Sequence, residues 1–154
     1  ELLMHAGHMK FTHVPYKGAA PSVTDLIAGQ IDGVVDNPPT VLAHIKAGSI
    51  RALAVAGKER LSVLPDVPTA AEAGLPDWEA SSWFGLVAPA GTSKAIVDRL
   101  HAEVVKAVKS PRIQKMRDRG MRIVGDTPKE FGDLIVAERK KWGEIITSAH
   151  ITVQ

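Results

Sequence analysis

The sequence predicts an α/β fold with a mostly parallel sheet, and three observations lead to this prediction. Short apolar or β-branched runs alternate with short helical patterns through the first half of the chain. The links between them are short, as in βαβ units. The run at 52–55 is apolar at every position, which is typical of a parallel strand covered on both faces. With 154 residues, the chain has the length of one average domain and can bury a sizeable core.

In the first part of the chain, proline and glycine mark where helices begin and end. A helix is predicted from Pro21 to the residue before Gly29, and a second one from Pro38-Pro39 to the residue before Gly48. Strands are predicted at 11–14, 31–35 and 52–55. The resulting order is strand, helix, strand, helix, strand.

Further along the chain, two capping boxes predict helix starts. Thr69 and Glu72 have this spacing before a helical turn that Gly74 ends, and Thr127 and Glu130 repeat it before a long C-terminal helix. Between them, helices are predicted at 93–109 and 110–119, and strands at 81–87 and 121–124. The second half is therefore expected to be richer in helix.

Composition and charge exclude several classes of function. No cysteine is present, which excludes a disulfide framework, thiolate metal sites and a cysteine nucleophile. The formal net charge of +2 is too small to indicate nucleic-acid binding, and no apolar run approaches the roughly 18 residues of a membrane span. Residues 1–78 hold six basic and eight acidic side chains, whereas 79–154 hold 13 and nine. Two differently built segments are therefore expected to meet near residue 79.

A candidate binding turn lies where the first predicted strand gives way to the first helix. Its residues are Tyr16, Lys17, Gly18, Ala19 and Ala20. Free N–H groups at a helix start attract anions, and the small side chains leave room for a carboxylate to reach them. An ordinary strand-to-helix turn would use the same residues, because neither the phosphate-loop pattern nor the dinucleotide-binding glycine pattern is present.

Asp36 and Asn37 follow the next predicted strand, at the same expected edge of the sheet. Open α/β sheets bind ligands at this edge. Asp36 would accept a hydrogen bond from a ligand amine, hydroxyl or bridging water, and Asn37 can donate as well as accept. Either side chain could instead cap the helix that begins at Pro38, and one residue can do both.

No residue pattern supports catalysis or a metal site. His5 and His8 are three residues apart, but Gly7 between them is a poor helix residue, and the other histidines are scattered. No metal-binding HExxH pattern occurs, and no serine lies in a GxSxG elbow. We therefore expect no enzyme activity, no metal and no cofactor.

A basic run in the second half allows two interpretations. Its members are Lys106, Lys109, Arg112, Lys115, Arg117, Arg119 and Arg122. The run could contact phosphates, but a solvated helix face explains it more simply, because Ile113 and Met116 would take the buried face. No nucleic-acid partner is expected. Trp78, Trp83 and Phe84 are expected to pack in the core or between lobes.

Several short motifs along the chain resemble those of a known family. They are His13-Val14-Pro15-Tyr16-Lys17-Gly18, Gly29-Gln30-Ile31-Asp32, Asp36-Asn37, Leu64-Pro65-Asp66-Val67-Pro68-Thr69 and Trp83-Phe84-Gly85-Leu86-Val87-Ala88-Pro89. Their number, order and spacing resemble the tripartite tricarboxylate transporter substrate-binding proteins, also called the Bug or TctC family. The resemblance covers nearly the whole chain.

This resemblance implies a two-lobed periplasmic receptor of the type II, Venus flytrap kind. Such a receptor captures a small organic carboxylate between its lobes and presents it to membrane transporter subunits. By position, residues 16–20 match the binding loop of the second lobe, and Asp36-Asn37 match the polar edge opposite it. Periplasmic location is implied, with the signal peptide outside this chain.

Receptors of this family are about twice as long, so the resemblance also implies a division of the chain. Residues 1–78 correspond to the ligand-binding α/β segment of the second lobe, 79–85 to a hinge crossover, and 86–154 to the C-terminal part of a partly missing first lobe. Helix faces that lack their sheet would favour a homodimer. The alternative is a protein-interaction or sensor module, derived from a binding protein, that takes no ligand.

Overall fold

The structure is a computed structural model that describes residues 2–148. Within that range it contains six helices: α1 (Leu2–Gly7), α2 (Ala19–Ile27), α3 (Pro38–Lys46), α4 (Lys94–Ala107), α5 (Pro111–Arg117) and α6 (Pro128–Ser148). The predictions for α2 to α6 are confirmed to within about two residues, the usual uncertainty of a helix end. Each of these helices starts or ends at a local signal that the sequence displays.

The ends of α2 and α3 show why glycine was a reliable signal. Gly29 and Gly48 both have φ of 73°, a left-handed conformation that glycine adopts without steric cost. Gln30 N–H then donates to Asp25 O at 2.8 Å, and Ser49 N–H donates to His44 O at 3.0 Å. These are Schellman motifs, which satisfy carbonyl groups that the last helical turn leaves free.

Helix α1 was not predicted, because Gly7 is a poor helix residue, yet Gly7 is the last residue of α1. His8 then takes the left-handed position that glycine usually fills, with φ of 49°, and Met9 N–H donates to Met4 O at 3.0 Å. A six-residue helix that has glycine inside its last turn, and not in the left-handed position after it, gives no pattern that sequence inspection detects.

Both predicted capping boxes are confirmed. Thr69 N–H donates to Glu72 Oε2 at 2.7 Å, and Glu72 N–H donates to Thr69 Oγ1 at 3.2 Å. Thr127 N–H donates to Glu130 Oε2 at 2.8 Å, with the reciprocal bond at 3.2 Å. The pKa of Glu72 is lowered, first by its hydrogen bond with Arg60 and then by the hydrogen bond from Thr69 N–H. The pKa of Glu130 is lowered first by the hydrogen bond from the Thr127 hydroxyl. Each of these starts holds a carboxylate of its own.

The predicted parallel sheet is not confirmed. The segments 11–14, 31–35, 52–55, 81–87 and 121–124 form no strand in the described part of the chain; an isolated parallel bridge joins Val55 and Thr69. Val35 is 65% exposed, Leu53 69% and Val87 79%. A strand needs a neighbouring backbone about 4.8 Å away to pair with, and beyond the Val55–Thr69 bridge these apolar runs pair with no backbone among residues 2–148.

The buried core is small and lies in the first half. Its buried members are Ser22, Val23, Leu42, Thr69 and Ala70. Helix α2 packs against α3, and Ala70 N–H donates to Val55 O at 2.8 Å. Helices α4, α5 and α6 contribute no buried residue. None of the helices within residues 2–148 is both long and apolar enough to cross a bilayer.

The segment that links the halves runs along α6. Lys141 Nζ donates to Glu79 O at 2.8 Å. Towards the start of α6, the Trp83 and Phe131 rings meet edge to face, with centroids 5.5 Å apart. A Cβ at Gly85 would overlap the Phe131 ring. Glu79 therefore contacts Lys141, whereas Trp83 and Gly85 both lie at Phe131, ten residues earlier in α6.

Candidate functional site

The predicted binding turn places Gly18 at the N-cap of α2. Its φ is 133° and its ψ is 174°, a combination that is essentially restricted to glycine. A Cβ built on Gly18 would meet no atom within 4 Å. Gly18 is therefore required by its backbone conformation, and the space in front of it is open.

The first backbone donors of α2 are free. No hydrogen bond from the N–H groups of Gly18, Ala19 or Ala20 is found among residues 2–148, and a helix offers no internal acceptor to its first turn. Ser22 Oγ donates to Ala19 O at 2.8 Å, and Thr24 Oγ1 donates to Ala20 O at 3.1 Å. Both hydroxyl groups hydrogen-bond to carbonyls and leave the N–H groups available to an anion.

Tyr16 ties the turn to the helix that follows. Its hydroxyl donates to Asp25 Oδ2 at 2.7 Å. The pKa of Tyr16 is raised, first by this hydrogen bond, then by partial burial and by the negative charge of Asp25. Lys17 is exposed and lies beside the free donors. The turn thus combines backbone donors, a cation and a side-chain tether within five residues.

Asp36 and Asn37 lie at the start of α3, as predicted, but they do not cap it with their side chains. Asn37 is the N-cap residue and makes no side-chain capping bond. Pro38 and Pro39 have no N–H to donate to a capping side chain, and Thr40 N–H donates to the Asn37 carbonyl at 3.1 Å. The alternative that these side chains serve as caps is therefore wrong.

The Asp36 carboxylate is half satisfied. Its Oδ1 accepts a hydrogen bond from Asn37 N–H at 2.7 Å. Its Oδ2 is shielded from solvent and accepts no hydrogen bond within the described range. Buried polar atoms are usually paired, so this oxygen marks a place where a water or a ligand donor would add stability.

Two residues that contact the start of α3 were not identified as functional from the sequence. Arg119 Nη2 donates to Pro39 O at 3.2 Å, and Gly120 lies against Pro38. Arg119 belongs to the basic run and is exposed like its other members, apart from Arg117, which is half-buried. Nothing in the sequence separates Arg119 from its neighbours, because its partner is 80 residues away.

The aromatic residues near residue 79 divide between packing and exposure. Trp83 meets the Phe131 ring but remains 42% exposed, and Phe84 is 82% exposed. Trp78 lines an apolar cavity of about 260 Å³ with Leu2, Leu3, Val35, Ala80, Trp142 and Ile145. The expected packing in the core is therefore wrong for Trp83 and Phe84.

The histidines within residues 2–148 remain dispersed. Across these residues, no three His, Asp or Glu side chains gather where they could hold a metal ion. His101 Nε2 lies 3.4 Å from Gly125 O, far along the chain from the binding turn. The segments 16–20 and 36–37 therefore offer backbone amides, a lysine, a carboxylate and an amide side chain.

Comparison with known proteins gives a family match over almost the whole chain. The family described as "Tripartite tricarboxylate transporter family receptor" matches residues 1–151. A curated relative, the UPF0065 protein in the tcbD–tcbE intergenic region of a Pseudomonas species, is 38% identical over 147 residues. That alignment covers 94% of this chain and 44% of the relative.

Solved structures give the same assignment. The R. palustris protein Rpa4515 with adipate is 36% identical, with a TM-score of 0.85 over 98% of this chain and 51% of its own. The periplasmic binding protein BugD is 30% identical, with a TM-score of 0.84, covering 99% and 52%. MatC from Rhodopseudomonas palustris with bound malate is 32% identical, with a TM-score of 0.77, covering 94% and 51%. The chain spans about half the length of these proteins.

Proposed function

The chain belongs to the tripartite tricarboxylate transporter receptor family, and on that premise we propose that it forms the ligand-holding part of a solute receptor for a small organic carboxylate. The family is a receptor family rather than an enzyme family. Two structural relatives were solved with adipate and with malate. Both ligands are dicarboxylates, and this supports the substrate class.

The observation that carries the proposal is the row of free donors at the start of α2. Gly18, Ala19 and Ala20 offer three consecutive N–H groups, and no acidic residue lies in the first turn of α2 to occupy them. The starts at Thr69 and Thr127 differ, since each already binds a glutamate carboxylate at 2.7–2.8 Å. A ligand carboxylate at α2 would make the contact that those glutamates make within the chain.

Asp36 and Asn37 supply the second part of the proposed site. The Asn37 side chain is exposed and makes no capping bond, so its amide can donate to a carboxylate. The unsatisfied oxygen of Asp36 can accept from a ligand hydroxyl or from a water that bridges to the ligand. This pairing favours hydroxylated acids such as malate over unsubstituted ones such as adipate.

We further propose the larger architecture that the family implies. Residues 1–78 form the second-lobe segment, 79–85 the hinge crossover and 86–154 the returning part of the first lobe. The exposed apolar runs 31–35, 52–55 and 81–87 become strands of a parallel sheet in a receptor of the relatives' length. The receptor then works in the periplasm, as BugD does, and delivers its ligand to membrane transporter subunits.

Amide-resolved NMR titration with adipate and with malate tests the proposal directly. We expect saturable shifts at the amides of Gly18, Ala19 and Ala20, with weak affinity (Kd about 1 mM), because this chain supplies only part of the cleft. The amides of Lys94 and Ala95, at the start of α4, are the internal control. Equal shifts at both helix starts would mean non-specific attraction of anions and would contradict the proposal.

A second candidate, the interaction module without a ligand, is favoured by exposed apolar surface. Phe84 is 82% exposed and Val136 on α6 is 70% exposed. Surfaces of this kind mark association sites, and a homodimer through the helix faces would cover them. Light scattering separates the candidates: a dimer with no amide shifts from either acid favours the interaction module.

A further inference from the structure

The end of α5 contacts the start of α3. Arg119 Nη2 donates to the Pro39 carbonyl at 3.2 Å. A Cβ added to Gly120 would lie 2.8 Å from Pro38 Cβ and 3.1 Å from Val63 Cγ2. The backbone of residues 119–120 is thus seated directly on the two prolines that open α3, although about 80 residues separate them in sequence.

Gly120 is required here for two independent reasons. It ends α5 with φ of 85°, while Met121 N–H donates to Met116 O at 3.2 Å. It also lies where no side chain fits. A Cβ added to any other glycine with positive φ in residues 2–148 would meet no atom within 4 Å. These glycines are Gly18, Gly29, Gly48, Gly74 and Gly91. Gly120 therefore combines the turn requirement with close approach to another element.

The contact reaches the candidate site through rigid residues. Asp36 and Asn37 directly precede Pro38. The rings of Pro38 and Pro39 fix the φ of these two prolines near −65°. Because Pro38 and Pro39 have no N–H, the first turn of α3 is held mainly by Thr40, which donates both N–H and Oγ1 to the Asn37 carbonyl. A shift of the proline pair would move the Asp36 carboxylate and the Asn37 amide together.

We propose that Gly120 and Arg119 are positioning residues for the carboxylate site. They hold the Pro38-Pro39 start of α3 and so fix Asp36 and Asn37 relative to the free donors of α2. The proposal rests on the proposed function for its ligand, and it makes the second half of the chain part of the binding apparatus. The site is then not confined to residues 1–78.

Two matched glycine variants test the proposal. Gly120→Ala and Gly91→Ala place alanine at the same φ of 85°, but the methyl group meets Pro38 in the first case and open space in the second. We expect Gly120→Ala to shift the amide resonances of Asp36, Asn37 and Thr40, and to weaken the binding of malate by about fivefold or more. Gly91→Ala should leave both unchanged.

A second pair covers the case in which Gly120→Ala fails to fold. Arg119→Ala removes the bond to Pro39 O, and Arg122→Ala removes an exposed cation from the same basic run. Arg119→Ala should shift the Asp36 and Asn37 amides and weaken malate binding about twofold or more, whereas Arg122→Ala should change neither. Equal effects of the two arginine variants would overturn the proposal.

The two readouts keep this inference separate from the proposed function. Amide shifts at Asp36 and Asn37 are measured without ligand, so they test the contact even if neither malate nor adipate binds the parent chain. Absence of those shifts in Gly120→Ala, when Gly91→Ala is equally silent, would overturn the positioning role. Shifts with unchanged malate affinity would overturn it as well.

Discussion

The starts of α2 and α3 are built in opposite ways. Helix α2 opens with Gly18 and two alanines and leaves three N–H groups free. Helix α3 opens with Asn37 and two prolines, so its first turn has almost no donor to offer. One start presents backbone donors to an anion, whereas the other presents a carboxylate and an amide side chain.

This difference teaches that a helix start is not an anion site by position alone. Both α2 and α3 have the positive end of the helix dipole at their first turn. In α3, however, Pro38 and Pro39 lack the N–H groups that would bind an anion. The starts at Thr69 and Thr127 have donors, but Glu72 and Glu130 already occupy them. Free donors together with an open approach at Gly18 distinguish α2 from these three starts.

The largest expected effect comes from Gly18→Val. Valine at φ of 133° and ψ of 174° is strained by about 1–3 kcal/mol, so the turn should rearrange and carry the donors away from their present positions. Because all three donors move, we expect no saturable binding of malate or adipate in calorimetric or NMR titration. Gly29→Val, also at a positive φ with open space, is the control; an equal loss there would contradict a local role for Gly18.

A smaller effect is expected when α2 is made to resemble α3. Ala19→Pro removes one N–H but suits the first helical position, where proline is favoured. The loss of one hydrogen bond to a charged group corresponds to about 1.5–3 kcal/mol, hence at least about tenfold in affinity, while the melting temperature should stay the same or rise. Lys94→Pro at the start of α4 is the control, and unchanged binding by Ala19→Pro would remove Ala19 from the site.

The third variant sharpens the role of the α3 start. Asp36→Ala removes the acceptor proposed for a ligand hydroxyl, so malate should bind about two- to tenfold more weakly. Adipate, which lacks a hydroxyl group, should be little affected. Titration of both acids into both proteins measures the difference, and parallel losses for the two acids would mean that Asp36 acts on the structure of the edge rather than on the hydroxyl.

The smallest effect concerns the capping box at the turn 69–74, whose donor already binds a carboxylate. The pKa of Glu72 is lowered by Arg60 and by Thr69 N–H, so its folded-state pKa lies below its unfolded value. The stabilisation is therefore complete above the unfolded pKa of about 4.3 and is lost as the pH falls through the folded pKa. Glu72→Gln should reduce the fall of the melting temperature between about pH 5 and pH 3. Glu59→Gln, a substitution at an exposed glutamate, should leave the fall of the melting temperature in this pH range unchanged.

The sequence predicted what depends on local signals and missed what depends on distant partners. Helices α3 and α5 start at proline, and Gly29 and Gly48 end α2 and α3, because these residues act through their own backbone. The strands were not confirmed, since pairing needs a second segment that the run 52–55 cannot specify. The binding role of residues 16–20 and 36–37 stays a prediction, although the free donors and the positive φ of Gly18 support it.

The contacts of Arg119 and Gly120 show a different limit. A basic residue and a helix-ending glycine are ordinary features in sequence, and the solvated-face interpretation was adequate for the rest of the run. Only their placement against Pro38 and Pro39 gives them a possible role. Sequence inspection cannot find such a pair, because neither residue type is unusual at its position.

The hydrogen bond between Tyr16 and Asp25 has a practical consequence. Tyr16 is the only tyrosine in the chain, so tyrosinate absorption reports on the binding turn alone, without labels. Its raised pKa means that the hydroxyl stays protonated as the pH rises past the usual value near 10, and the bond is lost when the pH passes the folded-state pKa. An alkaline spectrophotometric titration, with and without a dicarboxylate, therefore turns this tether into a built-in optical probe of the turn.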